Sequence, residues 1–151
     1  MAVLRDNPYA GFNFTVDLGD GKVDGPEAGV LEVDFPEARL LLQDYRSGSD
    51  KTPEPRKVQT QVQYGNLVLR RGVVGALNWY AWWNEARNGA SKGLARNVTV
   101  RLLSEDRAGA VMAWKFLRAR PVCHRFSSLN ALGAGAQLEM LELAFERLEI
   151  E

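Results

Sequence analysis

Apolar and polar residues alternate along several stretches of the chain, which is the period of a half-buried β-strand. In the first stretch, Phe12 begins a series in which every second residue is apolar as far as Leu18. The alternating stretches are residues 12–18, 30–35, 58–64, 98–102 and 111–116. Several such strands separated by glycine-rich turns predict a mainly β fold, either a sandwich or a barrel.

One segment has helical rather than strand periodicity. Residues 76–88 contain Trp79, Trp82 and Trp83, and Asn88 followed by Gly89 is a plausible helix end. We expect a helix of about three turns, with Trp79 and Trp83 able to share a face. The favoured interpretation is a helix packed over the sheet. The alternatives are that part of this aromatic surface meets another protein or forms a ligand platform.

The C-terminal residues 137–150 support two interpretations. Leu138, Leu141, Phe145 and Leu148 lie at roughly helical spacing, and the segment is rich in good helix formers. Local propensity therefore favours an amphipathic helix. The competing interpretation is a strand with alternate residues on one face.

Two segments have no clear periodicity. The first, residues 19–29, is rich in glycine and aspartate, and the second, residues 46–57, is the longest irregular stretch. Loops of that length in compact domains tend to be functional or mobile. We therefore treat residues 46–57 as a candidate functional loop.

Composition and charge restrict the functional classes. The 151 residues predict a single domain, and 19 basic residues balance 19 acidic ones. A neutral chain is a poor general nucleic-acid binder, and its charge does not oppose self-association. The sequence has neither an apolar run long enough to span a membrane nor a signal-peptide core. We therefore expect a protein that is made and kept in a cytoplasm, or that leaves it by a route other than a cleaved signal, without membrane insertion.

The residues do not suggest catalysis. Cys123 and His124 are the only cysteine and histidine, and neighbouring residues of a strand point to opposite faces. One cysteine and one histidine also cannot form a cysteine–histidine metal cage. The carboxylates are scattered, and residues 72–75 lack the lysine and hydroxyl ending of a phosphate loop. We therefore expect no enzyme activity, cofactor or metal.

Several phrases, taken in order, resemble the tube proteins of contractile tails, the family of phage tail tubes and of the inner tubes of extracellular contractile injection systems. The opening phrase leads from Asn7-Pro8-Tyr9 into the first strand, and Tyr64 begins the most recognisable phrase, which precedes the aromatic helix. The matching phrases are residues 7–14, 64–72, 96–100, 114–116, 120–122 and 138–148. The resemblance covers nearly the whole chain. Residues 20–29 depart from it by being longer and more acidic.

The resemblance implies two antiparallel sheets with one flanking helix, and a strand rather than a helix at the C-terminus. It implies hexameric rings that stack into a hollow tube, with inner sheets joined edge to edge. The implied partners are further copies of the chain, a sheath protein, a baseplate and a terminator. DNA or protein cargo would occupy the lumen, and sheath contraction would drive the tube outward.

Within this picture we hypothesise two assembly surfaces. Residues 46–57 and the N-terminal arm, residues 1–11, are expected to reach the neighbouring ring, and the exposed side of the helix is expected to face the sheath. The candidate inter-ring residues are Ser47, Gly48, Ser49, Asp50, Lys51, Arg56, Lys57, Asn7 and Tyr9, and the candidate sheath-facing residues are Glu85 and Arg87. Two alternatives remain open at this point: a type VI secretion tube protein, and a soluble β-barrel binding module that uses Trp79, Trp82 and Trp83.

Overall fold

The computed structural model describes residues 2–89 and 94–151, and these ranges contain nine strands and one helix. The elements are β1 (Phe14–Asp17), β2 (Glu32–Asp34), β3 (Ala38–Tyr45), β4 (Arg56–Tyr64), β5 (Leu67–Gly72), α1 (Asn78–Arg87), β6 (Arg96–Leu103), β7 (Ala110–Phe126), β8 (Leu138–Ala144) and β9 (Arg147–Ile150). The predicted mainly β fold with one helix is confirmed.

Seven strands form one antiparallel sheet that bends into two layers along β7. The first half of β7 lies between β6 and β9, and its second half pairs with β8. The first layer therefore contains β1, β6 and β9, and the second contains β8, β5 and β2 in that order. Arg118, whose φ is 55°, lies where β7 passes between the layers. The layers form a sandwich and do not close into a barrel.

The core lies between these two layers. Alternate residues of β5 and β8 are fully buried, among them Leu69 and Leu141, and they face Val98 and Phe116 of the first layer. The ring of Phe116 packs edge-on against Phe145, with 4.9 Å between the ring centroids. Each fully buried side chain of this size contributes roughly 1.5–3 kcal/mol. The alternation predicted for residues 98–102 corresponds to this core, since Val98 and Val100 are buried in it, whereas the alternating residues 58–64 belong to the exposed strand β4.

Helix α1 covers the end of the second layer. Its buried residues are Trp79 and Trp82, each 1% exposed, whereas Trp83 is only half-buried. Trp79 and Trp83 are able to share a face of the helix, but the pair that is fully buried is Trp79 and Trp82. Residues three apart lie on the same side of a helix, and the buried indole N–H of Trp82 donates a 2.7 Å hydrogen bond to the carbonyl of Leu94. Among the described residues, no helix is long and apolar enough to cross a membrane.

The C-terminal segment forms β8 and β9, so the helical interpretation from propensity is wrong and the strand implied by the resemblance is correct. Burial alternates strictly along β8, where Glu139, Leu141 and Leu143 all point inward. Pairing with β5 and β7 on its two sides outweighs the helical preference of its residues. Strand β3 was not predicted, because three consecutive leucines from Leu40 hide its alternation.

Candidate assembly surfaces

Strands β3 and β4 form a long hairpin that pairs with no other described strand. The two strands are antiparallel, and a register shift between Leu41 and Leu42 interrupts the ladder. Almost every residue of the hairpin is exposed, on both faces. The hairpin therefore has no hydrophobic core of its own and is not part of the sandwich.

Apolar side chains nevertheless lie along this hairpin. Leu40 and Val62 oppose each other across the ladder and are 56% and 49% exposed. Leu42 and Tyr45 on β3 and Val58 on β4 are also exposed. An isolated two-stranded hairpin is marginally stable in water, and contiguous exposed apolar surface marks interaction sites. This hairpin is the strongest candidate for a surface that another chain covers.

The tip of the hairpin contains most of the predicted inter-ring residues. Asp50 organises it: its carboxylate accepts a hydrogen bond from the backbone N–H of Ser47, and its own N–H donates to the Ser47 carbonyl. Gly48, Ser49 and Lys51 lie on the same exposed turn. The predicted loop boundary at residue 57 is wrong, because Arg56 and Lys57 belong to β4 and pair with β3. The irregular part is residues 46–55.

The N-terminal arm is held by Arg5. Its guanidinium donates to the backbone carbonyls of Asn7 and Pro8, lies 3.8 Å from the centre of the Tyr9 ring, and pairs with Glu105. The hydrogen bonds from Arg5 hold the pKa of Glu105 at about 2, below its usual 4.5, so the pair stays charged at neutral pH. In this structure the arm therefore lies against its own subunit. No hydrogen bond among the described residues joins it to the hairpin tip.

The outward side of α1 contains both predicted sheath-facing residues. Glu85 and Arg87 are exposed, and the Arg87 guanidinium donates to the side-chain oxygen of Asn84 and lies 5.0 Å from the ring centre of Trp83. Both charges are therefore presented on a helix anchored by its opposite face.

The sequence analysis missed a buried cluster of charge under α1. Arg71 of β5 and Glu139 of β8 form a 2.7 Å ion pair, and their side chains are 2% and 5% exposed. The other carboxylate oxygen of Glu139 lies 2.7 Å from Nε2 of His124. Arg71 also donates to the side-chain oxygen of Asn78 and lies 4.1 Å from the ring centre of Trp79. The cluster therefore links α1 to β5 and β8 and stabilises the packing of the helix on these strands.

The described side chains offer no recognisable catalytic arrangement. Cys123 is exposed on the outer face of β7, whereas the His124 side chain points inward to Glu139, so the two cannot act as nucleophile and base. Residues 2–89 and 94–151 contain no group of three side chains able to hold a metal ion. A ligand platform made of all three tryptophans is also excluded, since Trp79 and Trp82 are buried.

Comparisons with solved structures agree on this architecture. A chain of the PVC sheath–tube complex, an extracellular contractile injection system in its extended state, is 21% identical, with a TM-score of 0.81 over 95% of this chain and 91% of that one. A chain of the anti-feeding prophage baseplate is 22% identical, with a TM-score of 0.79 over 97% of both. A type six secretion system protein is 12% identical and less similar, with a TM-score of 0.55 over 93% and 83%.

At these identities the structural similarities show the fold alone, and the family of the chain is shown by comparison of its sequence. No curated protein matches the chain. The family model described as T4-like virus tail tube protein gp19 matches residues 10–149, which is nearly the whole chain. The protein therefore belongs to the tail tube protein family of contractile tails.

Proposed function

We propose that this chain is the structural subunit of the inner tube of a contractile tail or injection system. Six copies close into a ring, rings stack into a hollow conduit, and contraction of a sheath drives the conduit outward. Its partners are further copies of itself, the sheath, a baseplate and a terminator, and its lumen carries DNA or protein. Family membership and the likeness to chains of a sheath–tube complex and a baseplate support this proposal.

The observation that carries the proposal is the β3–β4 hairpin. Its exposed leucines and valines have no covering element in the monomer. Burial of such side chains against a neighbouring ring would stabilise the hairpin and the stack together. In this arrangement Ser47, Asp50, Lys51 and the rest of the tip reach the next ring. The N-terminal arm, including Asn7 and Tyr9, contributes to the same contact.

Deletion of residues 48–55, replaced by a two-glycine turn, is expected to abolish stacking while leaving the sandwich folded. The deleted residues belong to the exposed tip and make no contact with the core cluster. Negative-stain electron microscopy would show single rings in place of tubes, and circular dichroism would show an unchanged sandwich. A point variant, Leu40→Thr with Val62→Thr, should shorten tubes more than the matched pair Arg39→Thr with Gln63→Thr. Tubes of normal length from the deletion variant would refute the role of the tip.

We place the sheath on the outward side of α1, where Glu85 and Arg87 are exposed. Charge reversal at both residues, Glu85→Lys with Arg87→Glu, should weaken docking of the sheath protein in a co-sedimentation assay. Tube formation should be unchanged, because neither side chain contacts the core. Full sheath docking by this variant would place the sheath contact elsewhere.

The alternatives are less well supported. The type six secretion system protein is similar over most of the chain, but with a lower TM-score than the chains from the contractile particles. A soluble binding module built on the tryptophan cluster conflicts with the burial of Trp79 and Trp82. We therefore favour a non-enzymatic tube subunit, made in the bacterial cytoplasm and assembled into a phage tail or an injection particle.

A further inference from the structure

The N-terminal arm is attached to its own subunit by polar contacts beside the turn between β6 and β7. The guanidinium of Arg5 donates hydrogen bonds of 3.0 and 2.5 Å to the two carboxylate oxygens of Glu105. The backbone N–H of Val3 donates a 2.9 Å bond to the carbonyl of Val111, at the start of β7. No described residue of the arm belongs to the buried core. The attachment is therefore polar and lies at the surface.

The turn that receives the arm is fixed by its own hydrogen bonds. The backbone N–H of Ser104 donates a 3.0 Å bond to the carbonyl of Gly109. The carboxylate of Asp106 accepts a 2.9 Å bond from the N–H of Ala108 and a 2.5 Å bond from the hydroxyl of Ser104. Glu105 therefore lies on a preorganised turn, and the closed position of the arm is defined by that turn.

Arg5 also holds the part of the arm that we expect to reach the neighbouring ring. Its guanidinium donates 2.7 Å hydrogen bonds to the backbone carbonyls of Asn7 and Pro8. The same group lies 3.8 Å from the centre of the Tyr9 ring. The contact with Glu105 thus constrains Asn7 and Tyr9, the two arm residues proposed for the contact between rings.

The closed arm leaves large apolar side chains in water. Leu4 is 97% exposed, and Phe12, directly after the arm, is 73% exposed. An exposed ion pair contributes little to stability, because solvent screens it and two long side chains must be ordered. Burial of a leucine or phenylalanine side chain contributes more. A second copy that covers Leu4 and Phe12 would therefore outcompete the contact between Arg5 and Glu105.

We propose that the contact of Arg5 with Glu105 is an autoinhibitory latch, which keeps the arm closed on its own subunit until a neighbouring ring binds it. This inference rests on the proposed tube function and adds a regulation to it. Only subunits with an open latch can offer the arm to the next ring, so the apparent affinity between rings falls with the open fraction. The latch therefore raises the protein concentration at which rings stack.

Substitution of Glu105 tests the latch without changing the arm itself. Glu105→Gln should lower the protein concentration needed for tubes by about fivefold, the upper range for an exposed ion pair. Glu105→Arg should lower it at least as much, because the new guanidinium repels Arg5. The matched control is Glu149→Gln. Glu149 pairs with Arg147, and its side chain is 47% exposed, against 46% for Glu105. This control should leave the concentration unchanged.

Two further measurements separate the closed arm from the bound arm. Hydrogen exchange of the Val3 amide in the free subunit should be faster in Glu105→Gln than in wild type, because this amide is bonded only while the arm is closed. Leu4→Ser should raise the concentration needed for tubes by about tenfold, since the stack loses a buried leucine. The fold should be unaffected, because the Leu4 side chain is exposed in the free subunit.

Sedimentation velocity and negative-stain microscopy give the concentration for tubes, and circular dichroism establishes that each variant is folded. Wild-type tubes together with an unchanged or higher concentration for Glu105→Gln would overturn the latch and leave the proposed function standing. Unchanged exchange of the Val3 amide, or normal stacking of Leu4→Ser, would also overturn it. Absence of tubes from wild type and every variant would refute the proposed function and, with it, the latch.

Discussion

Replacement of Glu139 by glutamine is expected to lower the free energy of unfolding by about 3–5 kcal/mol, the cost of breaking a buried ion pair from one side. The carboxylate is the only charged partner of Arg71 among the described residues, and both side chains are almost fully buried. Asn78 and the backbone carbonyls of Glu27 and Ala76 are neutral acceptors and cannot offset the guanidinium charge. The loss is large beside a typical domain stability of about 5–15 kcal/mol.

Chemical denaturation followed by circular dichroism would measure this loss. The matched control is Glu142→Gln, on the outer face of the same strand, where the carboxylate accepts a hydrogen bond from Asn66. That change should cost no more than about 1 kcal/mol, as is usual for a solvent-exposed interaction. Similar losses for the two variants would mean that the buried cluster does not hold the helix end of the sandwich together.

Replacement of Trp82 by alanine is expected to cost about 3–5 kcal/mol as well, for a different reason. The change leaves a cavity beneath α1 and removes the donor for the carbonyl of Leu94. It also removes the ring that lies 4.7 Å from the Arg96 guanidinium. The helix would then lose one of its two buried anchors.

The neighbouring Trp83→Ala is the control for this second prediction. Trp83 is half-buried, so its replacement by alanine should lower the free energy of unfolding by roughly 1 kcal/mol, near the average for point substitutions. Thermal and urea unfolding of the two variants would compare them directly. A larger loss for Trp83 than for Trp82 would contradict the burial of the helix face described above.

The sandwich could be predicted where burial is one-sided. Along β6, Val98 and Val100 enter the core and alternate with Thr99 and Arg101, so the pattern of the sequence matches the structure. Strand β3 could not be predicted in this way. Both of its faces are exposed, so burial in a core imposes no alternation on its residues, which include the consecutive Leu40, Leu41 and Leu42. Local propensity wrongly predicted a helix at the C-terminus. Strand β8 is stabilised by pairing with β5 and β7, and such tertiary pairing is not visible in a short window of sequence.

Of the features described above, some could be identified from the local sequence and others depend on contacts between distant parts of the chain. The hairpin tip and the outward face of α1 were identifiable from irregular or exposed polar sequence. Arg71 and Glu139 are 68 residues apart, and no local pattern indicates that they meet.

Negative-stain electron microscopy of the purified wild-type chain over a range of concentrations tests the central claim most directly. The proposed tube function predicts hollow rings at low concentration and stacked tubes at high concentration. These would arise because the exposed apolar side chains of the β3–β4 hairpin become buried between copies. Discrete monomers at every concentration would contradict the account.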